Sequence, residues 1–267
     1  MKFLARVLSK KQLKDNFELF SGVIVGIKGF SHQVVSLDIN EIKELDIDNL
    51  YIDLNNIIHE EKIESLREIL TFLSSINIKG LFFEDIAVFN IVTNNNLHIP
   101  LIWNQAHFVT NYESINIWAS LGVSGVKIAN EITLDEIKEI AKNSAISLYY
   151  TAIGNLQVAS SNREFLTNYF EYIDEKKEED NYHILENISN QAFIIEEEDN
   201  NSYLYTKKIF NALGALNNIE NIDYLIIDLV FKMEKIKELL GGKEMNSEEF
   251  DTFFLYKKTI YKVKQNE

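Results

Sequence analysis

The sequence predicts an α/β fold, a (β/α)8 TIM-like barrel with a long insertion between strands 7 and 8 and a C-terminal strand extension. Short β-branched and apolar runs alternate with helical patterns along the chain, which favours a parallel barrel or a doubly wound sheet. No glycine-rich phosphate loop follows the first run, where a dinucleotide-binding sheet would carry one, and this favours the barrel. The eight predicted strands begin near Phe3, Val23, Leu50, Ile78, Ile99, Val123, Ile146 and Tyr224.

Helix starts are predicted from capping-box spacing. In a capping box, a hydroxyl accepts a hydrogen bond from an unpaired backbone N–H, and the side chain three residues later accepts one from the backbone N–H of the hydroxyl residue. The spacing occurs at Ser9 with Gln12, Thr110 with Glu113, Thr133 with Glu136, and Ser161 with Glu164. Between Ile63 and Leu73 the apolar residues fall on one face, as expected of a helix that covers a barrel strand.

The insertion is predicted to span residues 153–222 and to contain a helix and a hairpin that turns at Asp199 to Asn201. The acidic run from Asp174 to Asp180 is predicted to be a solvated surface. Gly241 and Gly242 indicate a helix stop. The C-terminal extension, residues 243–267, is predicted to pack on the barrel as a strand pair.

Length and composition fit one large α/β domain or two small ones, and 46% hydrophobic content is enough for a sizeable core. Because the C-terminal extension is predicted to pack on the barrel, residues 1–267 are expected to form a single barrel domain. No stretch approaches the roughly 20 apolar residues of a membrane span. The N-terminus has too short an apolar run among its charges for a signal peptide, so a cytoplasmic location and no membrane partner are expected. The formal charge of −15 argues against a free-standing nucleic-acid binder, since phosphate contacts need clustered Lys and Arg.

The chain has no cysteine, which excludes disulfides, thiolate zinc sites, cysteine nucleophiles and an iron–sulfur cluster held by its own thiolates. The five histidines show no metal-ligand spacing, so neither a metal site nor a cofactor is predicted. His107 follows the fifth predicted strand. With Glu84, Asp85 or Glu131 it could hold a hard cation, and the alternative is a structural histidine.

Polar residues at the predicted strand ends are the candidates for a functional site, because the ligand site of a parallel barrel lies at the C-terminal ends of its strands. The catalytic candidates are Glu84, Asp85, Glu131 and His107. The ligand-binding candidates are Arg6, Arg163, Asn55, Asn104, Gln105, Asn130, Tyr150 and Asp228. Alternatively, Asp85 and Asp228 cap the helices that follow. Tyr150 could stack a flat ligand with Trp103, or both could belong to the core.

Arginine is scarce in this chain, which contains only Arg6, Arg67 and Arg163. Guanidinium binds carboxylates and phosphates through bidentate hydrogen bonds that Lys cannot form. We therefore expect Arg6 and Arg163 to bind a small dicarboxylate or a phosphate above the barrel. The alternative is an ion pair with Glu84 or Glu131.

The stretch IGNLQVASSNREFLTNYFEY, residues 153–172, resembles the signature segment of the collagenase-like peptidase family (peptidase family U32), which also contains tRNA and quinone hydroxylation proteins. The family usually has a His before the Gly and a Cys three residues after it, where this chain has Ile153 and Gln157. The surrounding Gly154, Ser161 and Arg163 match.

Other segments extend the resemblance over most of the chain, among them GVIVGIKGFSHQ, NLYIDLNNIIHEEKIESL and GVSGVKIANEITLDEI. The segments AFIIEEEDNNSYLYTKKIFNALGAL and FFLYKKTIYKVK resemble the shorter Gram-positive members, which are linked to hydroxylation of the wobble uridine of tRNA. Larger members tend to have an Arg-Glu pair where this chain has Asn130 and Glu131. Many members end the last strand in Glu-Gly-Arg, where this chain has Asp228, Leu229 and Val230.

Three alternative functions remain, and the resemblance implies the first two. The first is a substrate-binding or accessory subunit in tRNA wobble-uridine hydroxylation, without an iron–sulfur cluster, which pairs with a longer cysteine-bearing homologue and meets tRNA only in that complex. The second is a metal-dependent or collagenase-like peptidase, although the sequence identifies neither a candidate nucleophile nor candidate ligands for a metal that would activate water. The third is a non-catalytic small-anion-binding barrel. The missing thiols favour the first.

Overall fold

The computed structural model describes residues 1–187, 191–217, 219–243 and 246–257. Its strands are β1 (Lys2–Arg6), β2 (Gly22–Ile27), β3 (Ser36–Leu37), β4 (Leu50–Leu54), β5 (Gly80–Phe83), β6 (Leu101–Trp103), β7 (Gly125–Lys127), β8 (Ser147–Gly154), β9 (Gln157–Ser161), β10 (Asn181–Leu185), β11 (Ala192–Glu198), β12 (Asn201–Thr206), β13 (Ile209–Asn211), β14 (Tyr224–Asp228) and β15 (Phe250–Asp251). Its α-helices are α1 (Ile39–Lys43), α2 (Ile63–Ser74), α3 (Ile86–Asn94), α4 (Tyr112–Ser120), α5 (Leu134–Asn143), α6 (Phe165–Tyr172), α7 (Leu213–Leu216) and α8 (Met233–Leu240).

Eight parallel strands close into a barrel, in the order β14–β1–β2–β4–β5–β6–β7–β8, and β8 pairs back to β14. Helices alternate with these strands and cover the outside of the barrel. The prediction of a TIM-like barrel is therefore confirmed, as is the long insertion that separates the seventh barrel strand, β8, from the eighth, β14.

Two hydrophobic layers follow from the alternation of side chains along each strand. One layer fills the barrel interior and consists of Leu4, Ile24, Tyr51, Phe82, Ile102, Tyr149 and Ile226, with Tyr224 packed against it. The Tyr149 and Tyr224 rings stack at 4.6 Å, and Tyr51 and Tyr224 line the N-terminal end of the barrel. Aromatic packing thus fills the lumen below its C-terminal end, where the polar strand ends meet.

The second layer lies between the barrel and its helices. In α2, the buried residues Leu66, Ile69, Leu70 and Leu73 form the predicted apolar face. Trp103 also belongs to this layer, where it stacks on Trp118 at 4.5 Å. The alternative that Trp103 is a core residue therefore agrees with its position.

Two of the four predicted capping boxes are present. They join Ser9 to Gln12 at a 3-10 turn and Thr133 to Glu136 at the start of α5. The prediction at Thr110 is wrong, because α4 is capped by Asn111, whose side chain accepts from the Ser114 N–H at 2.9 Å. An Asn one residue later supplies the same acceptor at a better position.

The prediction at Ser161 is also wrong, for a tertiary reason. Ser161 lies in β9 and pairs with Ser202 of β12, so it continues a strand instead of starting a helix. The helix α6 begins four residues later, at Phe165, and the side chain of Glu197 accepts from the Leu166 N–H at 2.9 Å. A carboxylate from the neighbouring strand β11 thus takes the place of a local cap.

The insertion forms a four-stranded antiparallel sheet in the order β10–β11–β12–β9, together with α6. The predicted hairpin is present as β11 and β12, and it turns through Asp199 and Asn200, whose φ values of 49° and 65° suit a tight two-residue turn. At the C-terminus, β15 pairs with β13, which itself pairs with the end of β8. The tail is described to residue 257 as this short strand and a turn, and the remainder of the predicted strand pair lies outside the described residues.

No helix in the described ranges is both long enough and apolar enough to cross a membrane.

Candidate functional site

A polar cavity, which we call the mouth, opens at the carboxyl ends of the barrel strands. The barrel contributes Arg6 from β1, Asp53 from β4, Lys127 from β7 and Asp228 from β14. The insertion contributes Gln157 and Thr206, and the C-terminal segment contributes Phe254. Predicted candidates that line the mouth are Arg6, Asn55, Glu84, Asn104, Asn130, Glu131 and Asp228.

Arg6 is the central charged residue of the mouth. Its Nη2 donates to Asp53 Oδ2 at 3.0 Å, and its Nη1 lies 3.9 Å from Asp228 Oδ2. All three side chains are at most 14% exposed. The ion pair was predicted as an alternative to anion binding, but its acids are Asp53 and Asp228 instead of Glu84 or Glu131. A buried guanidinium with two carboxylate neighbours orders the mouth, because loss of either partner leaves an uncompensated buried charge.

Asp53 joins three strand ends, since its Oδ1 accepts from Asn104 Nδ2 at 3.2 Å while its Oδ2 binds Arg6. Asp228 has a different environment, because burial raises the pKa of its carboxyl to about 6 while Arg6 opposes the shift. Its side chain lies over Gly154, where an added Cβ would stand 2.1 Å from Asp228 Oδ2. The glycine of the signature segment is thus required by the acid at the end of β14.

The loop after β2 brings His32 to the mouth. The Ser31 hydroxyl accepts from the Ile27 N–H at 2.8 Å and donates to the carbonyl of Asp53. Asn55 then holds the His32 backbone from both sides, accepting from its N–H at 2.9 Å and donating to its carbonyl at 3.1 Å. Asn55 was predicted to bind ligand, and the structure shows its side chain engaged in positioning His32.

The His32 ring is buried and fully engaged. Its Nδ1 lies 2.8 Å from Asn56 Oδ1, and its Nε2 lies 3.0 Å from Gln157 Oε1. The ring stacks on Tyr203 of the insertion at 3.8 Å, and the Tyr203 hydroxyl donates to Asn56 Oδ1. Burial lowers the pKa of His32 to about 4, so the ring is neutral near pH 7. A neutral ring has one N–H, so it donates to Asn56 and can accept from the Gln157 amide in its flipped orientation.

Glu84 and Lys127 form a second pair of ionisable groups at the mouth. Burial raises the pKa of Glu84 to about 8, and the charges of Lys127 and Arg6 oppose the shift. Burial and the nearby Arg6 lower the pKa of Lys127, while the surrounding acids oppose this. These opposite shifts favour a protonated acid beside an amine that gives up its proton more readily than an exposed lysine.

Glu131 and His107 meet at the rim of the mouth, where His107 Nδ1 lies 3.2 Å from Glu131 Oε2. Their side chains are 39% and 28% exposed, respectively, so water screens this contact. Asn130 is buried and donates to the carbonyl of Thr151 at 3.0 Å. Within the described ranges, no group of three or more His, Asp and Glu residues is arranged to hold a metal ion.

Two predicted site residues have local structural roles next to the mouth. Asp85 caps α3, accepting from the Ala87 N–H at 2.8 Å and from the Ile58 N–H at 3.2 Å, as the alternative interpretation expected. Gln105 accepts from the N–H groups of His107 and Phe108 and so fixes the turn after β6.

Tyr150 and Arg163 lie away from the mouth lining. Tyr150 is fully buried in the layer between barrel and helices, where its ring meets Phe210 edge-on at 6.1 Å. Its neighbour Tyr149 faces the barrel interior, as strand alternation requires. Arg163 is an exposed residue of the insertion, and its carbonyl, not its guanidinium, accepts from the Ser202 hydroxyl at 2.7 Å. The structure therefore does not bring Arg163 and Arg6 together at the cavity.

Four residues that shape the mouth were not among the predicted site residues: Asp53, His32, Gln157 and Lys127. Three of them had a readable signal, since Gln157 stands where the family usually has a cysteine. Asp53 is an acid inside the apolar run LYIDL, and Lys127 is the last residue of the sixth barrel strand. His32 and Gln157 reach the mouth through loop and insertion geometry that strand periodicity does not encode.

Glu84 gives the site a testable pH dependence. Its pKa is about 8 in the folded protein and 4.5 ordinarily, so the folded state binds the proton more tightly. The stabilisation is present in full below about pH 4.5 and is lost as the pH rises through about 8. We expect Glu84→Gln to flatten the fall in the free energy of unfolding across this window, measured by urea denaturation at several pH values. The exposed variant Glu64→Gln is the control, and an equal slope in both variants would contradict the assignment.

The chain is similar in sequence to two curated proteins and matches the model of one protein family. tRNA hydroxylation protein P2 of Bacillus subtilis (strain 168) is 27% identical over 192 residues, which are 69% of this chain and 62% of that protein. tRNA hydroxylation protein P1 of the same strain is 22% identical over 120 residues, 45% of this chain and 28% of that protein. The match thus spans less than two thirds of each relative's length.

Among solved structures, the U32 peptidase Mk0906 aligns over 58% of this chain and 69% of its own, with a TM-score of 0.46 and 13% identity. The model of Peptidase family U32 matches residues 23–238, which include every barrel strand except β1 and the first residue of β2. By this match, the chain belongs to peptidase family U32.

Proposed function

We propose that this chain is a substrate-binding or accessory subunit in tRNA hydroxylation at the wobble uridine, that it works beside a longer cysteine-bearing homologue, and that it acts in the cytoplasm. The observation that carries the proposal is the position of Gln157. The residue that stands where the family usually has a cysteine lines the mouth, 3.0 Å from His32. An amide can hydrogen-bond but can neither attack as a nucleophile nor hold iron. The similarity to two tRNA hydroxylation proteins supports the process.

The mouth is suited to holding a small polar molecule. Its walls carry amides, acids and two cations in a partly buried setting, where hydrogen bonds are stronger than in water. Arg6, Asp53 and Asn104 are already fixed by one another, so a ligand would meet a preorganised surface.

The insertion has a surface that fits a protein partner. Phe165, Tyr169 and Tyr172 are 47%, 56% and 87% exposed, and their spacing places them on one face of α6. The acidic run 174–180 follows at once and is held in place by Lys177, which pairs with Glu197 at 2.6 Å. An exposed aromatic face beside fixed acids favours a partner with an apolar patch bordered by Lys and Arg, and it disfavours direct contact with phosphates.

Co-purification tests this proposal. The tagged longer homologue from the same genome is expected to retain this chain, and the pair is expected to bind tRNA when this chain alone does not. Replacing Phe165, Tyr169 and Tyr172 together by Ser is expected to weaken the complex at least about tenfold, which is the loss of ~1.4 kcal/mol of contact. The control replaces Ile117 and Leu121 by Ser, two residues that are also exposed but lie on or beside α4.

Two results would contradict the proposal. One is tRNA binding by the isolated chain as tight as that of the pair. The other is peptide hydrolysis by the pure chain, which would favour the peptidase alternative.

A further inference from the structure

Lys127 is the residue of the mouth whose chemistry the proposed function does not use. It ends β7, the sixth barrel strand, and lines the cavity with Glu84, Asp53 and Asp228. Among the described residues, its amine makes no hydrogen bond and no ion pair within 4.0 Å, so no structural contact occupies it. Arg6, by contrast, is committed to Asp53 and Asp228.

The surroundings of Lys127 favour the neutral amine more than water does. Burial and the positive charge of Arg6 both lower the pKa of Lys127, and Glu84, Asp53 and Asp228 only partly offset them. A desolvated lysine beside another cation is the environment in which an amine becomes a nucleophile toward carbonyl carbon. The cavity gives a small molecule access to this amine.

We propose that Lys127 captures a small aldehyde or ketone as a Schiff base in the mouth. This goes beyond the accessory role and does not depend on it. The position supports the proposal, because Lys127 lies at the end of a barrel strand and lines the cavity.

The reaction balances without an oxidant or a reductant. The nitrogen lone pair of neutral Lys127 attacks the carbonyl carbon, a C–N bond forms, and the C=O π electrons move to oxygen, which takes up the proton that nitrogen releases. The C–O bond of this carbinolamine then breaks while C=N forms, and the oxygen leaves as water with a proton from Glu84. Amine, carbonyl compound and one proton thus give iminium and water.

Glu84 fits the role of proton donor. Burial raises the pKa of Glu84 to about 8, so most of this carboxyl is protonated near pH 7. After it has given up its proton, its carboxylate joins Asp53 and Asp228 around the iminium charge. Glu84 and Lys127 are close enough for the charge of each to shift the pKa of the other.

Reductive trapping tests the proposal. The full chain is incubated near pH 7 with pyruvate or propanal, reduced with borohydride, digested and mapped by mass spectrometry. We expect the reduced adduct on Lys127 to exceed that on Lys10 several-fold, because the lowered pKa of Lys127 leaves a larger fraction of its amine neutral. Lys10 is the internal control, since its side chain is 62% exposed and more accessible.

Variants separate activation from mere exposure. Lys127→Met should abolish the adduct at this peptide and leave that at Lys10 unchanged. Glu84→Gln should slow trapping several-fold while Lys127 remains the site. Because the wild-type peptide map decides by itself, the test does not depend on the folding of either variant. The proposal would be overturned if, with both probes, adducts form on the lysines in proportion to their solvent exposure and none is above background on Lys127.

Discussion

Replacing Gly154 by alanine is expected to destabilise the fold by about 3 kcal/mol or more, although only one methyl group is added. The new Cβ would stand 2.1 Å from Asp228 Oδ2 and 2.7 Å from Asp228 Cγ. Asp228 is 3% exposed, so its carboxylate has little room to move and would be forced away from Arg6. The free-energy costs of overpacking and of the disturbed buried ion pair then add, and urea denaturation measures the total loss of stability.

Gly214→Ala is the matched control for this substitution. Gly214 lies in α7, and a Cβ added there meets nothing within 4 Å. Alanine in a helix is better than glycine by ~0.5–1 kcal/mol, so this variant should be as stable as the wild type or more stable. A second check uses the background Asp228→Ala, in which the Gly154 substitution should cost much less. Equal costs in both backgrounds would show that Asp228 is not what requires the glycine.

Replacing Arg6 by methionine is expected to produce the second large loss, about 3–5 kcal/mol near pH 7. Methionine keeps much of the volume but leaves Asp53 and Asp228 buried without their cation. In the wild-type protein, the charge of Arg6 opposes the rise in the pKa of Asp228, which is about 6. Loss of the guanidinium should therefore raise this pKa further.

The sign of its pH dependence follows from linkage. A carboxyl whose folded pKa is raised stabilises the fold at low pH, and this contribution is lost as the pH rises through that pKa. Arg6→Met should therefore lose less stability at about pH 5 than at about pH 7.5. Arg67→Met is the control, because Arg67 is 47% exposed and, within the part of the chain that the structure describes, pairs only with the exposed Glu64 at 3.4 Å. A loss for Arg6→Met that is independent of pH would contradict the buried ion pair.

The barrel and the outline of its mouth could be predicted because strand periodicity fixes where each strand ends. Arg6, Glu84, Asn104 and Asp228 were identified in this way, and all of them line the cavity. Side-chain direction was harder to predict, because a shift of one residue along a strand reverses the face. Tyr150 was expected at the mouth for this reason, and it points into the outer layer.

Contacts distant in sequence account for most of what could not be predicted. Ser161 has local capping-box spacing, but pairing with β12 decided its conformation. His32 depends on Asn55 for its backbone position and on Tyr203 for its stacking. Neither contact produces a periodic pattern of apolar residues in the sequence. The insertion therefore had a recognisable signature while the reach of Gln157 into the mouth stayed hidden.

Mass spectrometry of tRNA nucleosides after deletion of the gene tests whether this thiol-free mouth serves tRNA hydroxylation, as proposed. Hydroxylated wobble uridine is expected to fall in the deletion strain while the longer homologue is intact, and the wild-type chain is expected to restore it. Complementation with Gly214→Ala should restore it too, and Gly154→Ala should not. Unchanged hydroxylation after deletion, with the longer homologue present, would contradict the proposed function.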